Sequence, residues 1–115
     1  MIPSHIFENL TRLDSLKIQY NHLLTIPTLL FDKLTGLKQL ILNNNNITSI
    51  PDGMLQKTKG LLMLDLSENN ISMIPPRVFT NLGKLSSLKL QQNRLTRLTK
   101  VAINLVFYSA LIKLY

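Results

Sequence analysis

The chain has 115 residues, which is the length of one small domain or of a slice of a larger one. Hydrophobic residues make up 45% and charged residues 17%, a globular balance that excludes an intrinsically disordered chain. No cysteine is present, so disulfide scaffolds, thiolate zinc sites, iron–sulfur clusters and cysteine nucleophiles are excluded. Only two histidines are available for metal or acid–base chemistry, and the composition therefore argues against an enzyme.

Neither end of the chain predicts a targeting or membrane segment. Residues 1–7 lack the basic region and the long apolar core of a signal peptide. The strongest apolar stretch, residues 101–115, is interrupted by Asn104, Ser109 and Lys113. A membrane span needs about 20 apolar residues. We therefore expect residues 101–115 to belong to a protein core and predict no membrane span.

A period of 24 residues organises the whole chain. When a 24-residue frame begins at Leu13, its fourth and sixth places are always aliphatic: Leu16, Leu40, Leu64, Leu88 and Ile112, then Ile18, Leu42, Leu66, Leu90 and Leu114. The frame predicts one repeat array over residues 1–115. It comprises a partial repeat at 1–12, full repeats at 13–36, 37–60, 61–84 and 85–108, and the strand of a truncated repeat at 109–115.

Places three to seven of each copy predict a short β-strand, in chain order near 15–19, 39–43, 63–67, 87–91 and 111–115. Alternation at these places directs the aliphatic side chains inward and the intervening side chains to solvent. One such strand cannot bury its apolar face alone. We therefore expect the copies to stack about 4.8 Å apart, as a parallel sheet over a continuous core.

The segments that follow the strands also recur. The ninth place is asparagine in every full copy: Asn21, Asn45, Asn69 and Asn93. A buried carboxamide both donates and accepts, so we expect this asparagine ladder to satisfy backbone groups in neighbouring coils. A proline stands after the fourteenth place in three copies (Pro27, Pro51 and Pro75). Because proline fixes φ and biases the preceding residue away from helix, these positions predict an extended return.

The return side carries a phenylalanine at place nineteen in three copies, and Phe7, Phe31 and Phe79 are expected to stack as a spine. Two copies depart from this pattern. In the second full copy Leu55 and Thr58 replace Phe and Leu, and we expect looser packing there. In the fourth, Thr99 replaces proline and Ile103 replaces phenylalanine.

Each copy reads LxxLxLxxNxLxxIPxxxFxxL, which resembles the leucine-rich repeat family. The 24-residue length and the segment Phe31-Asp32-Lys33-Leu34-Thr35-Gly36-Leu37 are similar to the extracellular repeats of Toll-like receptors, Slit proteins and variable lymphocyte receptors. The resemblance implies an α/β-type solenoid. It would be a right-handed coil with a parallel β-sheet on the concave face and a mostly irregular or short-helical convex side. Such extracellular arrays usually end in cysteine-bonded caps, so we expect these residues to be a fragment of a longer ectodomain.

The concave strand face is the default ligand surface of this architecture, because its side chains form a rigid grid. Ile41 and Met63 would form an apolar centre rimmed by amides and by Asp65 and Glu68, as binding patches often are. The candidate ligand-binding residues are Lys17, Tyr20, Gln39, Ile41, Met63, Asp65 and Lys89. The alternative is that a slice of four turns does not include the contact region of the parent protein.

The same 24-residue frame places the side chains that could act in catalysis apart from one another. His5 falls on the convex return and His22 beside the asparagine ladder, with no carboxylate pair or serine arranged around either. No phosphate-binding loop or dinucleotide-binding glycine motif is present. We therefore expect no enzyme activity, no catalytic residue, no metal site and no cofactor.

The net charge is +7, and basic residues dominate the second half of the chain. After Asn70 there are seven basic residues and no acidic one: Arg77, Lys84, Lys89, Arg94, Arg97, Lys100 and Lys113. Such asymmetry can mark a polyanion site. The frame, however, distributes these residues around the coil, as on a solvated surface. A heparin-like glycan is therefore kept as an alternative partner, and nucleic acid is not expected.

Three Asn-x-Ser/Thr triplets make Asn9, Asn46 and Asn70 glycosylation candidates. With the extracellular type of repeat they favour a secretory-pathway glycoprotein. The predicted function is recognition of a protein ligand by a cell-surface receptor or secreted adhesion protein, located outside the cell. One alternative is an extracellular matrix protein that binds collagen or glycosaminoglycan. A second is an intracellular signalling scaffold located in the cytoplasm.

Overall fold

A computed structural model describes residues 2–3 and 5–95, together with the backbone of residues 111–113. Five strands lie in the described part of the chain: β1 Ser15–Lys17, β2 Gln39–Ile41, β3 Met63–Asp65, β4 Ser87–Lys89 and β5 Leu111–Lys113. They form a single sheet in the order β1-β2-β3-β4-β5, and every neighbouring pair is parallel. Each residue pairs with the residue 24 positions later, for example Leu16 with Leu40. The solenoid with one parallel sheet, predicted from the sequence, is confirmed.

The strands are three residues long, shorter than the five-residue segments predicted. The coils nevertheless stay hydrogen-bonded beyond them, because the Ile18 amide donates to the Ile41 carbonyl at 2.9 Å and the Tyr20 amide to the Asn43 carbonyl at 3.2 Å. Tyr20 then adopts a left-handed backbone, with φ of 59°. The chain turns away from the sheet at this residue.

The return segments consist of hydrogen-bonded turns, and no helix occurs in the described residues. Four of these turns begin at a proline. The carbonyls of Pro3, Pro27, Pro51 and Pro75 accept from the amides three residues later at 3.2, 3.1, 3.1 and 3.3 Å. Proline lacks an amide hydrogen but keeps its carbonyl, so it can start each turn without losing a needed donor.

The core lies between the sheet and the returns, and it is built from repeated columns. Place four contributes Leu40, Leu64 and Leu88, which are at most 1% exposed. A further column, at place eighteen, was not predicted from the sequence: Leu30, Met54 and Val78 are 3, 1 and 3% exposed. The continuous core expected from stacking therefore includes one more apolar layer on the return side.

The second full copy is packed as tightly as its neighbours, so the looser packing expected there was wrong. Leu55 and Thr58 are both fully buried, and the Thr58 hydroxyl donates to the Leu55 carbonyl at 3.2 Å. The phenylalanine spine is also shorter than expected. Phe7 and Phe31 stack, with ring centroids 6.5 Å apart and planes 10° apart, whereas Leu55 takes the intervening place in the column before Phe79.

The asparagine side chains fasten successive coils together. The Asn69 amide group donates to the carbonyls of Leu42 in the previous coil and of Leu66 in its own, both at 3.1 Å. Its side-chain oxygen accepts from the Ile47 amide, also in the previous coil, at 3.1 Å. Asn45 and Asn93 make the equivalent bonds one coil earlier and one coil later. Asn21 is exposed and donates to carbonyls of its own coil, those of Ile18 and Gln19.

No helix in the described residues is long and apolar enough to cross a membrane. The prediction for residues 101–115 lies outside the described residues, apart from β5, whose backbone pairs with β4. Thr99 and Ile103 also lie outside them.

Replacing one rung of the ladder should destabilise the protein far more than replacing the exposed one. We expect Asn69→Ala to lower the free energy of unfolding by about 2–3 kcal/mol, because buried carbonyls and an amide lose their partner. Asn21→Ala, the matched control, should cost less than about 1 kcal/mol because its bonds are exposed to water. Urea unfolding followed by circular dichroism measures both, and equal losses would contradict the structural role of the buried carboxamide.

Candidate functional site

The concave face of the sheet presents two rows of outward side chains. The first row contains Ser15, Gln39, Met63 and Ser87, and the second contains Lys17, Ile41, Asp65 and Lys89. The first row begins with a polar contact, since the Ser15 hydroxyl donates to the Gln39 side-chain oxygen at 3.3 Å. Because parallel strands hold each row in register, these side chains form a fixed grid.

The two residues of the predicted apolar centre, Ile41 and Met63, lie diagonally to each other on adjacent strands. Ile41 pairs with Asp65, and Met63 pairs with Gln39, so Ile41 and Met63 lie on adjacent strands but two positions apart. Both are half-buried. Lys17 and Gln39 are exposed on the neighbouring positions. The grid therefore offers two partly exposed apolar side chains among polar neighbours.

Asp65 is less accessible than its position suggests. It is 8% exposed, and its Oδ1 accepts from the Ser67 amide at 3.0 Å and from the Ser67 hydroxyl at 2.6 Å. These two hydrogen bonds from the same coil hold the carboxylate in one orientation. Asp65 therefore shapes the middle of the grid, while Lys17 and Lys89 present the more accessible charges beside it.

A row of left-handed residues borders the grid where the chain leaves the sheet. These residues, at place eight, have φ between 54° and 59°: Tyr20, Asn44, Glu68 and Gln92. None is glycine, although glycine avoids the steric cost of this conformation. Tyr20 is 74% exposed, so its ring stands out from this edge.

Hydrogen bonds link this border row across two coils. The Asn43 side-chain amide donates to the Asn44 side-chain oxygen at 2.6 Å, and the Asn44 side-chain amide donates to Glu68 Oε2. These groups border a shallow depression, here named the edge pocket, which is lined by the side chains of Tyr20, His22, Asn44, Asn46 and Glu68 and by the ladder residues Asn21 and Asn45. Sequence reasoning placed Tyr20 and Glu68 on the concave face but did not predict a pocket, because the side-chain bonds of Asn44 leave no periodic signal.

The two histidines lie in separate surroundings. His22 lines the edge pocket, whereas His5 lines a second depression on the return side with Glu8, Asp32, Lys33 and Lys57. Two carboxylates and two ammonium groups line that depression, so their charges are equal in number. The described residues contain no group of three or more His, Cys, Asp or Glu positioned to hold a metal ion.

The basic residues of the second half do not form one patch in the described part of the chain. Lys89 lies on the sheet face, Arg94 follows the strand, and Arg77 and Lys84 are exposed on the return and just before β4. Arg97, Lys100 and the side chain of Lys113 lie outside the described residues. The four basic residues of this half that the structure describes are therefore dispersed.

The three glycosylation candidates differ in accessibility. Asn9 is exposed in the first turn, while Asn46 and Asn70 are half-buried. The backbone amides of Asn46 and Asn70 donate to carbonyls of the previous coil, those of Leu23 and Ile47, both at 2.9 Å. Asn9 is therefore the most accessible acceptor of the three.

Residues 35–95, more than half of the chain, match the family model described as leucine rich repeat. Among solved structures, the chain is similar to the leucine-rich repeat domain of APL1B, with 26% identity and a TM-score of 0.91. It is also similar to the Drosophila Toll–Spatzle complex in its glycosylated form (28%, 0.86) and to the LRIM1/APL1C complex (25%, 0.86). The alignments cover 97, 94 and 96% of this chain but only 33, 14 and 21% of those chains. No curated protein sequence matches it.

Proposed function

Because this chain belongs to the leucine-rich repeat family, we propose that it binds a protein ligand without catalysis, through the concave face of its sheet. The observation that carries the proposal is the grid itself. Two rows of side chains project from one rigid parallel sheet, and they combine half-buried apolar groups with exposed amides and charges. A preorganised surface of this kind loses little conformational entropy on binding.

The structural neighbours support a protein partner. Two of them are described as complexes, Toll with Spatzle and LRIM1 with APL1C. Since this chain spans a third or less of each neighbour, the activities of those whole proteins extend to it only as part of the proposal. We propose a segment of a cell-surface receptor or secreted adhesion protein, with a role in signal transduction.

The location follows from the same proposal. Toll is described in a glycosylated form and in connection with Drosophila development and innate immunity. This chain carries three acceptor triplets, and Asn9 is exposed. An extracellular or cell-surface glycoprotein accounts for these features better than a cytoplasmic scaffold does. The matrix-protein alternative would need a basic surface for glycosaminoglycan, and the described basic residues are dispersed.

A panel of secreted proteins and receptor ectodomains, measured by biolayer interferometry, tests the binding surface. For a partner found in the panel, Ile41→Glu should weaken binding at least tenfold, because it places a charge in the apolar centre. Gln39→Glu, at an exposed position on the same face, provides a second variant with little risk to folding. Leu29→Glu is the matched control, since Leu29 is apolar, 59% exposed and on the return side. Loss of binding in Leu29→Glu alone would place the contact elsewhere and refute the proposal.

Secretion from a eukaryotic host, behind an added signal peptide, tests the proposed location. We expect the mass of the protein to include an N-linked glycan on Asn9, at higher occupancy than on Asn46 or Asn70, because Asn9 is the accessible acceptor. Asn9→Gln should remove that mass and leave the far-ultraviolet circular dichroism unchanged. A secreted protein with no glycan on any of the three asparagines would count against the glycoprotein proposal.

A further inference from the structure

The edge pocket contains the carboxylate of Glu68, which accepts a hydrogen bond from the protein but has no lysine or arginine among the residues that line the pocket. Glu68 is exposed, and its Oε2 accepts from the Asn44 side-chain amide. The side-chain oxygen of Asn44 accepts in turn from the side-chain amide of Asn43. Within the described residues Oε1 of Glu68 has no hydrogen-bond partner. One oxygen is thus fixed by the chain, and the other is free to accept from a ligand.

The pocket is negative on a protein that is otherwise strongly positive. Glu68 is the only carboxylate that lines it, and no lysine or arginine does, although the chain has thirteen of these residues. The remaining lining consists of amides, an imidazole and a phenol, all of which are hydrogen-bonding groups. This lining suits a positively charged group with several donors.

The Tyr20 ring supplies a second feature that a cation recognises. It is 74% exposed, and it projects from a residue held in the left-handed conformation, where Asn or Gly is usual. An exposed ring face attracts a cation through its quadrupole. Tyr20 and Glu68 are two coils apart, about 10 Å at the usual strand spacing, with Asn44 between them. A long side chain lying across Asn44 can therefore reach both.

We propose that the edge pocket binds an arginine side chain of the protein ligand. A guanidinium group presents several donors in a fixed fork, so it can pair with the Glu68 carboxylate at one end of the pocket. The long arginine side chain would then extend across Asn44 toward the Tyr20 ring at the other end. The ammonium of lysine is a point charge without that fork. This inference rests on the proposed function, because it assigns one contact of the same recognition surface, at its border.

A peptide titration tests the assignment without knowledge of the natural partner. The probe is acetyl-Gly-Arg-Gly-amide, added to the isotope-labelled chain. We expect saturable shifts of the side-chain amide signals of Asn44 and Asn46. The citrulline peptide, which has the same shape without the charge, should bind at least tenfold more weakly, and the lysine peptide should also bind more weakly.

Two variants and a control locate the contact. Glu68→Gln keeps the shape and removes the charge, so it should weaken arginine-peptide binding at least tenfold. Tyr20→Leu should weaken it severalfold, because the ring face is lost. Glu8→Gln removes an exposed carboxylate elsewhere and should leave binding unchanged. Unchanged thermal unfolding of each variant shows that the fold is intact.

Several results would overturn the inference. One is that the Glu68→Gln variant binds the arginine peptide as tightly as the unchanged protein does. A second is that the citrulline or lysine peptide binds as tightly as the arginine peptide. A third is that the arginine peptide shifts only signals from residues outside the edge pocket. These outcomes are distinct from failure of the proposed function. If a panel partner is lost with Ile41→Glu but keeps its affinity with Glu68→Gln, the concave-face proposal stands and the arginine assignment falls.

Discussion

The hydrogen bonds of the buried asparagine carboxamides are the constraint on which this structure depends. Each coil must turn away from the sheet, and at the turn it leaves backbone amides and carbonyls that point toward the interior. The Asn69 side chain forms hydrogen bonds to backbone groups of two coils, because it both donates and accepts. The bond to the previous coil is available only when the residues are 24 positions apart in register. A slip of one residue would move the aliphatic places outward and leave those backbone groups unpaired.

The same turn shapes the surface that we assign to recognition. Since the chain bends immediately after the strand, the residue before the ladder adopts a left-handed backbone and directs its side chain to the border of the grid. Tyr20 and Glu68 owe their positions to this bend. The backbone therefore fixes the positions of the border side chains, while the residue type at each position determines which groups they present. The ring of Tyr20 and the carboxylate of Glu68, at a position where glycine would be easier, support the recognition role that we propose.

Most of the fold could be predicted from the sequence, because the columns that define it are periodic. The aliphatic places of the strands and the ladder asparagines recur at a fixed interval, and the structure stacks them accordingly. The column of Leu30, Met54 and Val78 recurs in the same way, but its varied side chains made it less visible. The looser packing expected at Thr58 was wrong, because a threonine hydroxyl can bond the backbone of its own turn and be buried.

The site was harder to predict, since it depends on contacts that occur once. Asp65 accepts its hydrogen bonds from a single serine two residues later, and the side-chain bonds of Asn43 and Asn44 border the edge pocket. The most direct test of the account is nuclear magnetic resonance detection of scalar coupling across a ladder hydrogen bond, from the Ile47 amide nitrogen to the side-chain carbonyl carbon of Asn69. The account predicts this coupling, and the matching one from Ile71 to Asn93. Absence of both couplings in the folded protein, or coupling of these amides to other acceptors, would contradict it.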